Sequence, residues 1–435
     1  MASRAAFHNL GCKVNAYETE AMQQMLRNAG YEIVPFEEKA DVYVINTCTV
    51  TNVADRKSRQ MLHRARKQNP EAVVVAVGCY SQIRGEELEK DPAVDLVIGT
   101  NRKKELLPLL EQFGATRRKK TERPDFRGSA AETYEELQIS QTEGYTRAFI
   151  KVQDGCDRFC SYCIIPYARG RVRSRGVEEV LREAKRLTET GVREIVLTGI
   201  HLCSYGKDLP EGEDLSALVC RVHDTEGLQR LRLGSLEPSW INRERAEELA
   251  KLPKLCPHFH LSLQSGCDET LQRMNRRYTT AEFAEKAALL REVFDDPALT
   301  TDIITGFPGE TEEEFAETVR FVSDMHFFET HIFPYSRREG TSAARMPGQL
   351  SEKVKKERSR ILSELNGRRQ KEFLEKELGQ PVEVLFEEKT VLDGKPCRAG
   401  YGRKYQRILY QSGEELTNAV RIVRPYAVQS GVLLA

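Results

Sequence analysis

Residues 155–166 read GCDRFCSYCIIP, and this stretch brings three cysteines, Cys156, Cys160 and Cys163, close together in the chain. A closed structural zinc site needs four ligands, as in two CxxC pairs. A ferredoxin cluster also uses four thiolates. Three thiolates from one short loop would leave one coordination position of a metal open. The spacing therefore predicts a metal centre that takes part in chemistry.

Length and composition limit the class of protein. The chain has 435 residues, which predicts two to four domains, and its charges balance at 66 Lys and Arg against 66 Asp and Glu. No apolar run reaches the roughly 18 residues of a membrane span, and the start MASRAAFHNLGC lacks the apolar core of a signal peptide. We expect a cytoplasmic protein with no membrane contact, whose eleven cysteines serve metal binding or catalysis rather than disulfides.

Residues 1–114 repeat an apolar run followed by a helical pattern, as in DVYVINT and VADRKSRQMLHRARKQ. This alternation predicts a parallel sheet covered by helices on both faces. Cys12, Cys48 and Cys79 each follow such a strand, in LGC, NTC and VGC. Because the carboxyl ends of parallel strands share one edge, these thiols are expected to meet in a second metal site. The alternative is three separate buried cysteines that act as small apolar residues.

The middle of the chain predicts a linker and then a barrel. Residues 115–143 are charged and poor in large aliphatic side chains, which is typical of a linker or crossing segment. Over residues 144–372, six apolar runs from AFIKVQ to THIFPYS alternate with helical stretches, which predicts an incomplete (β/α)6 barrel. Its active face is expected at the strand ends that carry the cysteine loop and the polar residues Thr198, Gly199, Ser235, Glu237 and Gln264.

The tail, residues 373–435, has short β-like runs with no helix between them, so it predicts a small all-β domain. Its segment KPCRAGYGRKYQR has five basic residues and no acidic one. RNA surfaces combine cations for phosphates with aromatic rings for bases. The predicted RNA-binding residues here are Tyr401, Arg403, Lys404, Tyr405 and Arg407. A solvated charged loop is the alternative.

A second basic run, ARGRVRSR, directly follows the cysteine loop. Alternate arginines on an extended segment could contact phosphate near the active face. The predicted residues are Arg169, Arg171, Arg173 and Arg175. Ordinary surface arginines are the alternative.

The CxxxCxxC triplet after the first barrel strand resembles that of the radical SAM superfamily. The resemblance implies that Cys156, Cys160 and Cys163 hold a 4Fe–4S cluster whose fourth iron is chelated by S-adenosylmethionine. It places Tyr162 against the adenine and Ser235, Glu237 and Gln264 near the same cofactor. Many members end the second barrel strand in GGE, whereas this chain has LTGI, with Thr198 and Gly199 at that place. A polar lining of the barrel mouth is the alternative role.

With NLGCKVNAYETE, NTCTV, VGCYSQ and the basic tail added, the whole chain is similar to the methylthiotransferases of that superfamily. This resemblance implies a second 4Fe–4S cluster on Cys12, Cys48 and Cys79 and a TRAM-like RNA-binding barrel in the tail. The sequence GCKVN most resembles that of the branch that modifies N6-threonylcarbamoyladenosine at position 37 of tRNA. The implied reaction replaces hydrogen at C2 of the adenine by a methylthio group. S-adenosylmethionine would supply both the radical and the methyl.

The implied partners are tRNA and an electron donor such as a flavodoxin or ferredoxin, and we expect a monomer. Two alternative substrates are isopentenyladenosine in tRNA and a ribosomal-protein side chain. An alternative of another class is a non-enzymatic RNA-binding protein that contains zinc. The remaining cysteines belong to no such constellation and are expected to be structural; they are Cys203, Cys220, Cys256, Cys267 and Cys397.

Overall fold

The computed structural model describes residues 3–126, 132–139, 146–210 and 213–435. The N-terminal strands are β1 (Arg4–Asn9), β2 (Glu32–Val34), β3 (Val42–Thr47), β4 (Val73–Gly78), β5 (Leu96–Ile98) and β6 (Lys120–Glu122). The helices are α1 (Lys13–Asn28), α2 (Asn52–Gln68), α3 (Cys79–Ile83), α4 (Gly85–Lys90) and α5 (Leu106–Thr116). The strands form one parallel sheet in the order β2-β1-β3-β4-β5-β6. Successive residues of β4 enter apolar layers on opposite faces, Val74 on one side and Val75 on the other, so the predicted helix-covered sheet is confirmed.

The segment at 115–143, predicted as a linker or crossing segment, contains a strand near its start. Lys120–Glu122 forms the edge strand β6, a position where charged side chains are tolerated because one side of the strand meets solvent. Further on, Leu137 and Ile139 are buried against the barrel, and Tyr17 of α1 donates a hydrogen bond to the carbonyl oxygen of Leu137 at 2.5 Å. The described part of the segment is therefore built into both neighbouring domains.

The barrel strands are β7 (Arg147–Asp154), β8 (Arg173–Ser174), β9 (Glu194–Gly199), β10 (Arg230–Leu233), β11 (His258–Gln264), β12 (Ala298–Thr305) and β13 (Glu329–Pro334). The helices are α6 (Ile165–Arg169), α7 (Val177–Glu189), α8 (Leu215–His223), α9 (Arg243–Ala250), α10 (Asp268–Arg273), α11 (Thr280–Val293), α12 (Glu312–Asp324) and α13 (Glu352–Lys376). Short 3₁₀ helices occur at Lys103–Glu105, Leu202–Ser204, Pro238–Trp240 and Ala343–Arg345.

The barrel is open and has six parallel strands in chain order, as predicted. β7, β9 and β10 pair side by side, as do β11, β12 and β13. Single bridges, such as Leu236 with Leu261, join the two groups. β8 adds a short antiparallel pair beside β7.

Alternation along the strands gives this barrel a polar interior. In β7, Ala148, Ile150 and Val152 belong to the apolar layer under the helices. Because successive side chains of a strand point to opposite faces, Arg147 and Lys151 face the interior. The same alternation turns the charged residues of β9, β10, β11 and β12 inward.

The C-terminal strands are β14 (Val382–Leu392), β15 (Lys395–Gly402), β16 (Arg407–Gln411), β17 (Val420–Val423), β18 (Ala427–Gln429) and β19 (Val432–Leu434), in the order β17-β14-β15-β16-β19-β18. The predicted all-β character is confirmed. The predicted boundary at 373 falls inside α13, because Phe373 and Leu374 in its last turns pack into the core of the β domain. The helix thus links the barrel to the tail.

Candidate active site

Three cysteines lie together at one edge of the N-terminal sheet. Cys12 follows β1, Cys48 follows β3 and Cys79 begins α3 directly after β4. β1, β3 and β4 are neighbours in the sheet. The first two loops touch, since a Cβ added to Gly11 would lie 3.2 Å from Cβ of Cys48. The structure thus brings the three predicted thiols together.

Two asparagines hold these loops in place. The side-chain amide of Asn15 donates to the carbonyl oxygens of Leu10 at 2.9 Å and Thr47 at 3.1 Å. Asn46 donates in return to the carbonyl oxygen of Asn15 at 2.9 Å. Both asparagines are buried. Their hydrogen bonds fix the loop before Cys12 against the loop before Cys48.

The environment keeps the thiols of Cys48 and Cys79 protonated in the absence of a metal. Burial, with the nearby Cys79 thiol, raises the pKa of Cys48 to about 12. Burial also raises the pKa of Cys79, although the Arg169 guanidinium opposes that shift. Metal binding replaces thiol protons and makes each ligand a thiolate. Three crowded thiols at one sheet edge are a donor set that fits an iron–sulfur cluster.

The second thiol triplet follows β7. Gly155 has φ +73°, and a Cβ there would collide with the carbonyl oxygen of Arg171, so only glycine fits where the loop begins. The amide of Cys156 donates to the carbonyl oxygen of Gly170 at 3.0 Å, and that of Cys163 donates to Cys160 at 2.9 Å. These bonds curl the loop so that its thiols converge.

Two of the barrel thiols, Cys156 and Cys163, also have raised pKa values. Burial, opposed by the backbone N–H of Arg158, raises the pKa of Cys156 to about 11. Burial and the neighbouring Cys160 thiol raise the pKa of Cys163 to about 12. Their donor set fits a cluster with three thiolate ligands and one open iron.

Arg169 connects the two triplets. It ends α6, which follows the barrel triplet and packs against α3. Its side chain is fully buried, and its Nε donates to Sγ of Cys79 at 3.3 Å. The same guanidinium pairs with Glu18 at 2.8 Å and with Asp154 at 3.1 Å. One arginine therefore touches the N-terminal thiols, α1 and the end of β7.

The ion network around Arg169 has more cations than carboxylates. Glu18 and Asp154 are both buried, and the cations paired with them are Lys103, Lys151, Arg169 and Arg173. Burial alone would raise the pKa of Asp154, but Lys151, Arg169 and Arg173 hold it well below its ordinary value. Buried charges need partners, so this excess of positive charge favours an anionic group beside Cys79.

The predicted phosphate contacts of the arginine run are wrong for three of its four members. Arg169, Arg173 and Arg175 are buried, and Arg175 pairs with Glu183 and with Glu136. Only Arg171 is exposed, and its guanidinium carbon lies 4.8 Å from the centroid of the Phe159 ring. Alternation in sequence suggested an extended segment open to solvent, but Arg169, Arg173 and Arg175 are enclosed by the N-terminal domain and the barrel.

Glu237 is held by two guanidiniums and an imidazole at the barrel mouth. It pairs with Arg158, with His201 at 3.1 Å and with Arg276 at 3.5 Å. Burial opposes ionisation, but the His201 hydrogen bond and the two guanidiniums lower the pKa of Glu237 to about 2. Arg276 also donates to Sγ of Cys160 at 3.3 Å. The predicted Glu237 is therefore linked to the barrel thiols through Arg276, a residue that sequence analysis missed.

The other predicted cofactor residues occupy the same strand ends. Thr198 is buried and Gly199 ends β9. Ser235 is exposed beyond β10. Gln264 ends β11 with φ +73°, and the Tyr162 ring lies 6.5 Å from that of Phe307, edge to face. The positions agree with a binding site at the barrel mouth, and the contacts themselves stay predictions.

The predicted RNA-binding loop of the tail instead closes the N-terminal end of the barrel. Arg230 donates to the carbonyl oxygens of Tyr401 at 2.9 Å and Gly402 at 2.8 Å, and Arg232 donates to Arg403 at 2.8 Å. Both arginines belong to β10, near its start. The backbone of this loop is thus fixed by the barrel.

The side chains of that loop also contact other parts of the protein. Tyr405 stacks on His258 and on Tyr401, each with ring centroids 5.0 Å apart. Lys404 pairs with Asp296 at 2.8 Å and with Glu377 at 2.9 Å. Arg403 donates to the carbonyl oxygen of Pro253 at 2.6 Å. Tyr401, Arg403, Lys404 and Tyr405 are partly buried by these contacts to the barrel, and their RNA role stays a prediction. Arg407 alone is exposed, paired with Glu388.

Sequence analysis did not identify several charged residues of the site. Glu18, Lys103 and Lys13 lie in stretches that read as ordinary surface helix. The signal that was present is in β7, where Lys151 lies between the apolar residues Ile150 and Val152. A charged residue inside a strand with buried faces implies a buried partner.

Comparison with known proteins agrees with this site. The uncharacterized protein family UPF0004 matches residues 4–99, and the radical SAM superfamily matches residues 150–322. The threonylcarbamoyladenosine tRNA methylthiotransferase MtaB of Bacillus subtilis is 42% identical, over 98% of this chain and 94% of that protein. The tRNA-2-methylthio-N(6)-dimethylallyladenosine synthase of Moorella thermoacetica is 37% identical, over 97% of this chain and 96% of that protein.

Among solved structures, the radical S-adenosylmethionine methyltransferase TsrM from Kitasatospora setae has a similar fold. Its TM-score is 0.57 at 18% identity, over 79% of this chain and 77% of that chain. Among the described residues, no helix is both long and apolar enough to span a membrane.

The open barrel, its thiol triplet and the matching superfamily define a radical SAM enzyme, which implies a 4Fe–4S cluster and S-adenosylmethionine. With 42% identity over nearly its whole length, the chain belongs to the radical SAM methylthiotransferase family.

Proposed function

We propose that this enzyme attaches a methylthio group to C2 of N6-threonylcarbamoyladenosine at position 37 of tRNA. The observation that carries the proposal is the juxtaposition of two thiol triplets, which Arg169 bridges by its position after one triplet and its hydrogen bond to Cys79 of the other. A reaction that joins sulfur to an unactivated aromatic carbon needs a radical source and a sulfur site at one place.

Each triplet has its own role in the proposal. Cys156, Cys160 and Cys163 hold the superfamily's cluster, which, with S-adenosylmethionine bound, supplies a deoxyadenosyl radical by reductive cleavage. Cys12, Cys48 and Cys79 hold a second 4Fe–4S cluster, which the excess cations around Arg169 favour, since three thiolates add negative charge there.

The substrate assignment follows the relatives. Three of them, from Bacillus subtilis, Aquifex aeolicus and Thermotoga maritima, are named for threonylcarbamoyladenosine and are 42%, 42% and 38% identical. A second candidate is dimethylallyladenosine in tRNA, which the 37% identity to the Moorella thermoacetica synthase favours. The partners we propose are tRNA and a flavodoxin or ferredoxin, met in the cytoplasm by a monomeric enzyme.

We propose that tRNA approaches over the cluster loop. Phe159 and Tyr167 are both partly exposed there, with ring centroids 6.0 Å apart, and Arg171 covers the Phe159 ring. Exposed rings beside a guanidinium suit bases of a loop. Arg407 and the remaining surface of the β domain, which we propose to be TRAM-like, would contact phosphates farther away.

The function is tested by nucleoside analysis of tRNA. Cells that lack the gene are expected to lose 2-methylthio-N6-threonylcarbamoyladenosine, and the unmethylthiolated nucleoside should accumulate. A plasmid copy should restore the product, and a copy with Cys160→Ala should not. Loss of the methylthio-dimethylallyl nucleoside instead would assign the second candidate.

The second cluster is tested by iron content. Replacement of Cys12, Cys48 and Cys79 together by Ala should remove about half of the bound iron, because the barrel triplet keeps its own cluster. Reductive cleavage of S-adenosylmethionine should persist, while methylthiolation should stop. The measurement is iron and sulfide per chain in anaerobically purified protein. Unchanged iron content would rule the second cluster out.

A further inference from the structure

Lys13 reaches from the N-terminal cysteines into the barrel. It is the first residue of α1 and directly follows Cys12. Its side chain is accessible, and its ammonium lies 5.9 Å from the centroid of the Tyr405 ring. Tyr405 belongs to the loop that closes the N-terminal end of the barrel. The Lys13 side chain therefore lies in the barrel interior between the Cys12 loop and Tyr405, a region that we call the chamber.

Two arginines border the same chamber, but they are already paired. The guanidinium carbons of Arg147 and Arg232 lie 5.1 Å and 4.8 Å from the Tyr405 centroid. Their common partner is Glu194, at 3.5 Å from Arg147 and 2.8 Å from Arg232. Within the described residues, no carboxylate oxygen lies within 4.0 Å of the Lys13 ammonium. Among the described residues, Lys13 thus has no carboxylate in ion-pair contact, and the nearby Glu194 is already paired with both arginines.

Polar groups also surround His258, which stacks on Tyr405 and lies near Lys13, His260 and His331. His260 of β11 lies 3.2 Å from Asp302 of β12, and its ring stacks on His331 of β13 at 5.6 Å. Such polar surroundings suit a ligand with hydrogen-bonding groups better than an alkyl group, which would displace water without replacing its hydrogen bonds.

We propose that Lys13 binds the carboxylate of the threonylcarbamoyl group of the substrate and thereby selects it. This inference rests on the proposed function. C2 and the N6 substituent leave the adenine ring in different directions. With C2 turned toward the thiol triplets, the threonyl group extends into the chamber. A carboxylate there forms an ion pair with the Lys13 ammonium, whereas an uncharged dimethylallyl group cannot.

The methionyl carboxylate of S-adenosylmethionine is another source of the same chemistry. It would be held at Cys156, beyond the C-terminal end of β7. The Lys13 variants described below separate the two sources, because only a contact with the substrate changes the preference between the acid and its ester.

The first test needs no mutation. Two anticodon stem-loop RNAs are compared, one carrying N6-threonylcarbamoyladenosine and the other its methyl ester, which lacks the negative charge. Affinities are measured by fluorescence anisotropy with the cluster-loaded enzyme and no reductant. The acid should bind about 10- to 100-fold more tightly, as expected for one charge-assisted contact. Equal affinities would overturn the inference.

The second test assigns that difference to Lys13. In Lys13→Gln protein the preference for the acid should disappear, and Lys13→Arg should keep most of it because the charge is retained. Both variants should contain as much iron as the wild type, which checks the neighbouring Cys12. If Lys13→Gln protein keeps the full preference for the acid over the ester, Lys13 does not bind the carboxylate. Weakened S-adenosylmethionine binding with an unchanged preference would lead to the same conclusion, since Lys13 would then serve the cofactor.

Different outcomes contradict the proposed function and the role of Lys13. If wild-type enzyme methylthiolates only the dimethylallyl stem-loop, the proposed function is wrong. If it methylthiolates the threonylcarbamoyl stem-loop but treats acid and ester alike, the function stands and the role of Lys13 is wrong.

Discussion

Cys160→Ala protein is expected to form no 5′-deoxyadenosine from S-adenosylmethionine under reducing conditions. With two thiolates left in the loop, the barrel site cannot hold a cluster with one open iron in the required position. The fold should survive the change, because the loop is fixed by other bonds. Ser161 donates through its amide to the carbonyl oxygen of Met274 at 3.0 Å, and Asn275 donates to that of Phe159 at 3.0 Å.

The measurement is deoxyadenosine per chain after incubation with dithionite, quantified by chromatography. The matched control is Cys220→Ala, which removes a half-buried thiol on α8, outside both triplets. That variant should keep wild-type iron and wild-type deoxyadenosine. Normal deoxyadenosine production by Cys160→Ala would show that the triplet is not the radical site.

Much of the architecture could be predicted because the relevant signals are local. The CxxxCxxC spacing lies in eight consecutive residues, and strand–helix alternation identifies the parallel strands of both domains. The convergence of Cys12, Cys48 and Cys79 follows from one topological rule about strand ends. Each of these inferences needs only the order of elements along the chain.

The roles of the basic residues could not be predicted, because burial by another domain leaves no trace in local sequence. Arg169 and Arg171 have the same residue type and adjacent alternate positions, yet one is fully buried and the other is exposed. The difference arises from Glu18, more than a hundred residues away in the chain. Likewise, Tyr405 meets the start of β11 only because α13 returns the tail to the barrel.

The second large effect, a loss of folding stability, is expected from Glu18→Gln. The Glu18 carboxylate is buried and pairs with Arg169 and Lys151 at 2.8 Å and with Lys103 at 3.3 Å. Burial alone would raise its pKa, but these three cations lower it strongly. The glutamine variant would leave them with Asp154 as their one buried carboxylate. Removing one member of a buried ion network costs about 3–5 kcal/mol, so the variant should unfold at clearly lower urea concentration.

Glu20→Gln, two residues along the same helix, is the matched control and should act in the opposite direction. Burial and the nearby Glu183 carboxylate raise the pKa of Glu20 to about 7. Its protonated form favours the folded state. That contribution is complete below about pH 4.5 and is lost as the pH rises through about 7. Glutamine resembles the protonated acid, so the variant should gain stability relative to wild type as the pH increases.

Urea unfolding followed by circular dichroism between about pH 5 and pH 8 separates the two residues. Glu18→Gln should be destabilised across the range, because the Glu18 carboxylate is ionised throughout. The advantage of Glu20→Gln should grow with pH to at most about 3 kcal/mol, the equivalent of its pKa shift before solvent screening. Iron content should fall in Glu18→Gln alone, since Arg169 then loses the partner that holds it against Cys79. Equal stability of the two variants at every pH would show that the buried network does not depend on Glu18.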